Sequence, residues 1–341
     1  MKAILKWLLS LSIAAVVLAV AVSIYVKHNL DAPMAINDVV QLDVPRGQSL
    51  IALGNRLERQ GLLDSTLWVG YARLVGATKI KSGEYKLEPG LTPKQLLDKL
   101  ILGDVIRYNA QLVEGWTYAQ ALQYLQSLEH LEIRLAGLLW PAQQQLLGFE
   151  EVHPEGLFFP DTYQYQKGDS DVSLLRQAYA KQQMILTELW AERAENLPYR
   201  TPYEALIMAS IVEKETAIDA EREEIAGVFV RRLQKSMRLQ TDPTVIYGLG
   251  ENYRGNLTRK HLKQATPYNT YMIKGLPPTP IALSGERSLF AALHPDNGAS
   301  LYFVAKGDGY HQFSATLDEH NAAVKKFQLK RRNDYRSTPK Q

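Results

Sequence analysis

The stretch from Thr201 to Thr216 constrains the fold most, because it predicts a helix that the rest of a domain has to surround. Thr201 can cap the first amide groups, Pro202 suits the first helical position, and Glu204 stands where a capping box has its reciprocal acceptor. The residues that follow, 205–212, are apolar on every side of the helix apart from one serine, which predicts burial all round. We therefore expect a rigid helix at the centre of a domain.

This helix is predicted to end in carboxylates, although the helix dipole makes a C-terminus unfavourable for negative charge. Glu213 and Glu215 stand two residues apart, roughly 200° around the helix axis, so only one of them can face a given cleft. Burial and the dipole are expected to raise the pKa of such a carboxyl until it carries a proton near neutral pH. A general acid is one interpretation, and solvation of both carboxylates at a frayed helix end is the other.

Composition narrows the function classes. The chain has 341 residues, which predicts two domains with appendages, and no cysteine, which excludes disulfides and thiolate chemistry. The net charge of +3 gives no indication of nucleic-acid binding, and the basic tail Lys325–Arg336 is interpreted as a solvated helix end. Neither an H-E-x-x-H motif nor a Walker or Rossmann glycine loop occurs, so we predict no metal and no cofactor. An S-x-x-K acyl-transferase is disfavoured, because Ser210 and Lys214 are four residues apart.

The N-terminal region predicts a membrane anchor. Residues 7–26 are apolar apart from three serines and are long enough to cross a bilayer core of ~30 Å. Lys2 and Lys6 precede this run, which favours a cytoplasmic N-terminus and export of everything that follows. The alternative is a cleaved signal peptide, since Ala19–Ala21 has the small-residue spacing of a cleavage site. The apolar run continues well past that site, which favours the anchor.

A strand, a turn with glycine and an amphipathic helix recur three times after the linker. Each turn ends in a hydroxyl residue that can cap the next helix, namely Ser49, Thr92 or Thr117. The copies are Leu42–Ser49 (LDVPRGQS), Tyr85–Thr92 (YKLEPGLT) and Gln111–Thr117 (QLVEGWT). Modules of this kind resemble LysM-type glycan-binding units. A plain structural repeat would need no ligand, so both interpretations stay open.

Two later segments carry candidate binding residues. Glu155–Tyr165 is dense in aromatic and turn residues, which suits a sugar-binding cleft in which Asp161 and Tyr163 contact the ligand, while an aromatic β-core is the alternative. Around a proline-containing turn within Met237–Gly248, closely spaced polar side chains could bind sugar hydroxyls. We also predict helices over residues 173–197 and 220–235 against the central helix, and a β-hairpin from residues 300–305 and 310–314.

Several sequence blocks in order resemble those of the YceG-like, or MltG-type, endolytic murein transglycosylases of bacterial inner membranes. The blocks are Gly156–Tyr163 (GLFFPDTY), Ala209–Ala217 (ASIVEKETA), Arg238–Gly248 (RLQTDPTVIYG), Tyr268–Tyr271 (YNTY) with Gly275–Pro278 (GLPP), and His294–Pro295. The resemblance implies that Glu215 is the catalytic residue. It also implies a LysM-like domain, cleavage of the MurNAc-GlcNAc β-1,4 bond inside nascent glycan strands, and contact with peptidoglycan synthases (penicillin-binding proteins).

Such an enzyme needs one carboxyl, which protonates the leaving oxygen and then, as a base, helps the C6 hydroxyl of the same N-acetylmuramyl residue to attack its own anomeric carbon. A 1,6-anhydro end results. A muramidase that hydrolyses the bond would need a second carboxylate, for which Asp161 and Asp242 are candidates. A membrane-tethered glycan-binding scaffold is the non-enzymatic alternative. The predicted substrate-binding residues are Glu213, Asp161, Tyr163, Gln240, Thr241, Asp242, Tyr247, Asn269 and Tyr271.

We therefore predict an α+β protein of the inner membrane with its catalytic part in the periplasm. Residues 1–28 are expected to be a cytoplasmic N-terminus and transmembrane helix, and residues 29–37 a linker. Residues 38–140 are expected to form a LysM-like α/β domain, and residues 141–341 a mixed α+β catalytic domain around the buried central helix.

Overall fold

A computed structural model of the chain describes residues 2–329, so the ends of the predicted basic tail and of the predicted domain 141–341 lie outside the described residues. The chain forms two compact units, Met1–Tyr108 with Gln164–Asp169 and Asn109–Tyr163 with Ser170–Gln341. The architecture is mixed α+β and begins with an apolar helix, which confirms those parts of the predicted fold. The predicted domain boundary at residue 140 stays a prediction, and so does the LysM-like character of the first unit.

The first unit consists of a two-stranded antiparallel sheet, in which Val40 pairs with Leu87 and Val44 with Gly83, together with short helices. Ser49 and Thr92 accept hydrogen bonds from Ala52 N and Gln95 N, so both predicted helix caps are confirmed. The elements are α1 (Lys2–Asp31), β1 (Val40–Val44), α2 (Leu50–Arg59), α3 (Ser65–Leu74), β2 (Gly83–Leu87), α4 (Pro93–Leu102) and the start of β3 (Tyr108–Gln111).

A single apolar core holds this unit together. Leu53 and Leu57 of α2 belong to it together with Trp68, Tyr85 and Leu96, and all five side chains are inaccessible to solvent. The Trp68 indole donates a hydrogen bond to Pro93 O at 2.8 Å, so the one polar group of that side chain is satisfied inside the core.

The first helix leaves this core for most of its length. Lys6–Asp31 is long and apolar enough to cross a membrane, with a mean hydropathy of 2.5, and its large apolar side chains are exposed apart from Val26 and Leu30, which pack into the core near the end of the helix. In the described part of the chain it is the one helix with these properties. A signal sequence would share them, so length and composition do not by themselves decide between an anchor and a cleaved segment.

The second unit is mainly helical. Its elements are the rest of β3, α5 (Tyr118–Gln126), α6 (Trp140–Leu147), the first half of β4 (Thr162–Tyr165, whose last two residues belong to the first unit), α7 (Asp171–Ala191), α8 (Pro202–Glu215), α9 (Asp219–Gln234), α10 (Asp242–Leu249), α11 (Arg259–Lys263), α12 (Glu286–Leu293), β5 (Tyr302–Ala305), β6 (His311–Ser314) and α13 (Leu317–Val324), with short helical turns at Gly250–Asn252 and Lys325–Leu329. The predicted hairpin is confirmed, since β5 and β6 pair antiparallel. Thr117 caps α5 as predicted.

Helix α8 contacts α7, α9, α10 and α12, and its residues 205–212 are all buried. Ser210 is the one polar residue in that stretch, and its hydroxyl donates to Ile207 O and accepts from Ile281 N. Burial of this hydroxyl therefore costs little free energy, because it both donates and accepts a hydrogen bond.

Three local predictions differ from the structure, and the first is the helix predicted over residues 173–197, which already ends at Ala191. Glu204 forms no capping box with Thr201, because its carboxylate accepts from the N–H of Arg200 instead, one residue earlier. The segment predicted as a proline-containing turn becomes the helix α10, with Pro243 in its first turn. Proline is compatible with that position, since the first amides of a helix have no intrahelical acceptor.

Candidate active site

Helix α8 ends at Glu215, whose half-buried carboxyl lines a cavity of about 590 Å³, called here the Glu215 cavity. Burial raises the pKa of Glu215 to about 7, a hydrogen bond from the Thr241 hydroxyl acts in the opposite direction, and the charge of Asp242 raises the pKa further. A carboxyl with this pKa carries a proton in a large fraction of molecules at neutral pH. Burial therefore acts on this pKa in the direction that the sequence predicted.

Thr241 is held firmly in front of Glu215. Its hydroxyl donates to Oε1 of Glu215, and its N–H donates to the Thr270 hydroxyl at 3.0 Å. The preceding Gln240 has a φ of 54°, a left-handed conformation that is unfavourable for a residue other than glycine. Arg232 stabilises this turn, since its guanidinium donates to Leu239 O at 2.9 Å and to the Gln240 side chain at 3.3 Å.

The second oxygen of Glu215 is available to a ligand. In residues 2–329 its Oε2 has no hydrogen-bond partner, although the carboxyl faces the cavity. A general acid has to reach the leaving oxygen directly, so an open oxygen on a protonated carboxyl is the arrangement that this chemistry requires.

Four of the predicted binding residues line the same cavity, namely Gln240, Thr241, Asp242 and Tyr271. The Tyr271 hydroxyl donates to Asp242 Oδ1 at 2.7 Å, and both lie beside Glu215 in the cavity wall. Asp242 is the one predicted second carboxylate that shares the cavity with Glu215.

The other predicted binding residues lie elsewhere. Glu213 accepts from Gly285 N at 3.1 Å and has Arg222 at 3.7 Å, so it does not share the cavity of Glu215. Asp161 is paired with Lys181, whose hydrogen bond lowers the pKa of that carboxyl.

Tyr163, Asn269 and Tyr247 are also occupied by the protein itself. The Tyr163 hydroxyl donates to Phe159 O, and the buried Asn269 amide donates to Gln264 O at 2.7 Å and two neighbouring carbonyls. The Tyr247 hydroxyl donates to Glu155 in a second cavity. Their roles as ligand contacts stay predictions.

Sequence reasoning missed several groups near Glu215. The hairpin and α13 contribute to the lining of the cavity, which includes His311 and His320, and His311 Nδ1 lies 2.8 Å from Glu221 Oε2. Arg232 was missed as well. A basic residue in the last turn of a helix is the ordinary preference there, so no pattern distinguishes this arginine.

The second cavity, of about 770 Å³ and called here the Glu155 cavity, holds another missed carboxyl. Glu155 is 3% exposed, and burial raises its pKa to about 7. Its Oε1 accepts from Tyr118 N at 2.8 Å and its Oε2 from the Tyr247 hydroxyl at 3.0 Å. A signal was present, since a glutamate directly before Gly156 and three apolar residues, 157–159, is an unusual place for a charge.

Comparison with known proteins decides the family. The family model described as "YceG-like family" matches residues 42–326. The chain belongs to the YceG-like family. The resemblance seen in the sequence is thereby confirmed, and it covers both units of the chain.

Curated relatives and a solved structure agree with this assignment. An endolytic murein transglycosylase of Bacillus subtilis is 31% identical over 306 residues, covering 84% of each chain. One of Streptococcus pneumoniae is 26% identical over 84% of this chain and 58% of its own. A crystal structure of a YceG-like protein from Listeria monocytogenes has a TM-score of 0.52 and 29% identity, covering 84% of this chain and 99% of that one.

Proposed function

We propose that this member of the YceG-like family is a lytic transglycosylase that cuts the MurNAc-GlcNAc β-1,4 bond inside nascent glycan strands. The observation that carries the proposal is the half-buried Glu215 carboxyl, with its pKa raised to about 7 and one oxygen open to the cavity. Three curated relatives named endolytic murein transglycosylase support the reaction class.

In the first step, protonated Glu215 gives its proton to the glycosidic oxygen, and the bond from that oxygen to the muramyl anomeric carbon breaks. In the second step, the Glu215 carboxylate takes the proton of the C6 hydroxyl as that oxygen bonds to the anomeric carbon. The proton lost in one step is regained in the other, so the balance is complete without water. Intramolecular attack is fast because the nucleophile is already held beside the carbon.

Thr241 has a positioning role in this proposal. Its hydroxyl donates to Oε1 of Glu215, which leaves Oε2 for the substrate, and the same hydrogen bond favours the carboxylate needed in the second step. Gln240, Asp242 and Tyr271 are proposed to bind sugar hydroxyls in the Glu215 cavity.

The reaction product tests the proposal. Cleavage of purified uncrosslinked strands in H₂¹⁸O should leave the new muramyl end unlabelled and lighter by one water than a reducing end. Internal cuts should give fragments of several disaccharides. Reducing ends that carry ¹⁸O would instead identify a muramidase, with Asp242 as the second carboxylate, since it shares the cavity with Glu215.

A glycan-binding scaffold is the non-enzymatic alternative. An exposed Glu215 with an ordinary pKa would favour it, whereas the carboxyl is half-buried with a raised pKa. Strand binding without any change in strand length would support the scaffold.

We also propose that α1 anchors the chain in the inner membrane with both units in the periplasm, as its exposed apolar surface and the preceding lysines suggest. Protease added to spheroplasts should then remove both units, and protection of them would contradict this topology.

The first unit is proposed to be LysM-like and to bind glycan, and peptidoglycan synthases are proposed partners. Chemical crosslinking in intact cells would test the partner proposal.

A further inference from the structure

The Glu155 cavity has no role in the proposed reaction, although it is larger than the Glu215 cavity. Its walls come from α5, α10, the segment before Gly156, and single residues such as Lys214 and Tyr268. Most of the lining is apolar, with Ile246, Ile281 and the two tyrosine rings 247 and 268 among it. Cavities of this size with mainly apolar walls and a few fixed polar groups are the usual form of ligand sites.

The Glu155 cavity also contains ionisable side chains. Lys214 and Glu251 are exposed and line it, and Glu155 is buried in its wall. The Lys214 ammonium donates to Gly115 O at 3.0 Å, which fixes its position and leaves two of its three N–H donors for a ligand.

The two cavities share structural elements. Lys214 lines the Glu155 cavity and its neighbour Glu215 lines the other. Asp242 of α10 lines the Glu215 cavity, whereas Ile246 and Tyr247 line the Glu155 cavity. Five residues of α-helix advance by about 7.5 Å, so the two cavities are lined by neighbouring turns of α10.

The chemistry of murein indicates which part of it fits here. Its sugars are uncharged once their lactyl groups are in amide linkage, whereas its peptide branches carry carboxylates, amines and small methyl side chains. Opposite charges on apolar walls suit such a peptide and have no counterpart on bare sugars. We propose that the Glu155 cavity binds the peptide branch of the strand being cut, an inference that rests on the proposed function.

Cleavage of two matched substrates tests this assignment. The full-length enzyme in detergent micelles is given uncrosslinked strands with their peptides, and the same strands after enzymatic removal of the peptides and conversion of the freed lactyl carboxylates to neutral amides. We expect Lys214→Met to lower the ratio of kcat/KM for peptide-bearing over peptide-free strands about tenfold, as for loss of one charged hydrogen bond. Glu251→Gln should lower the same ratio, and Lys235→Met, on an exposed lysine outside the cavity, should leave it unchanged.

An unchanged ratio in Lys214→Met, whether both substrates lose activity equally or neither loses any, would overturn the inference. A binding measurement separates it from the proposed reaction. In the Glu215→Gln background, calorimetry with a soluble disaccharide peptide should give about tenfold weaker binding after Lys214→Met, and the peptide-free disaccharide should give no difference. Wild-type enzyme that cuts neither strand, combined with this binding result, would overturn the reaction and support the peptide site.

Discussion

The Glu215 and Glu155 cavities each contain a carboxyl whose pKa burial raises to about 7, yet the two carboxyls differ in how many of their oxygens are hydrogen-bonded. Both oxygens of Glu155 accept hydrogen bonds, from Tyr118 N and the Tyr247 hydroxyl. In the described part of the chain, Glu215 lines its cavity and accepts one hydrogen bond, from Thr241, so its other oxygen is without a partner. A perturbed pKa thus marks both carboxyls as candidates for a functional site, and in the proposed reaction the unused oxygen of Glu215 is the one that reaches the substrate.

The largest expected difference is in rate. Glu215→Gln keeps the shape of the side chain and removes its proton, so cleavage should fall ~10²-fold to ~10⁴-fold while strand binding is retained. Glu155→Gln should stay within about tenfold of wild type on peptide-free strands, because that carboxyl does not reach the reacting atoms. Initial rates of glycan-fragment release measure both.

Glu213→Gln is the control from the same helix end, since its carboxylate is bonded to Gly285 N and lies near Arg222. The fall in cleavage rate in Glu213→Gln should be smaller than the fall in Glu215→Gln. If Glu215→Gln were as active as wild type, the catalytic assignment would pass to another carboxylate.

Asp242→Asn should lower the cleavage rate less than Glu215→Gln, and it tests whether a second carboxylate of the Glu215 cavity takes part in the reaction. The amide oxygen can still accept from Tyr271, so we expect a loss of about tenfold or less and an unchanged 1,6-anhydro product. Mass spectrometry of the new ends measures this. Loss comparable to that of Glu215→Gln would indicate two carboxylates acting together, as in a hydrolase.

Thr241→Val should move the pH dependence of the enzyme. The free enzyme must hold the proton on Glu215, so kcat/KM should fall as pH rises above about 7. The Thr241 hydrogen bond lowers that pKa, and its removal should shift the fall to higher pH by about half to one unit. Thr258→Val, which removes a helix cap outside the Glu215 cavity, should leave the midpoint in place.

A further effect is expected on stability, and here the two carboxyls should behave alike. Each has a folded-state pKa of about 7 against an ordinary 4.5, so the folded state holds the proton more tightly. Stability is therefore lost as pH rises from about 4.5 to about 7, and both Gln variants should be more stable than wild type at pH 8, on the order of 1–3 kcal/mol. If the stability difference between each Gln variant and wild type were the same at pH 5 and at pH 8, this prediction would be contradicted.

Much of the fold follows from local patterns. Ser49, Thr92, Thr117 and Thr201 cap the helices that they were predicted to cap, because a cap bonds an amide only two or three residues away. Glu204 is the exception. The N–H groups of Arg200 and Thr201 are both within its reach, and the sequence does not show which of them the carboxylate accepts from.

The assembly of the site depended on contacts between distant segments. The sequence indicated Glu215 from the apolar turns before it and from the family resemblance, and it indicated the polar cluster 240–242 from its composition. It did not indicate that Thr241 bonds to Glu215, nor that Glu155 pairs with Tyr247, 92 residues away.

The physical reason is a difference in range. Helix caps, apolar periodicity and the length of α1 are properties of short segments, and they were available before any tertiary structure was known. Which oxygen of a carboxyl is bonded depends on groups that folding brings together from separate segments, and their burial sets its pKa. Tertiary structure alone therefore decided that Glu215 keeps one oxygen open, while Glu155 is fully bonded within the protein.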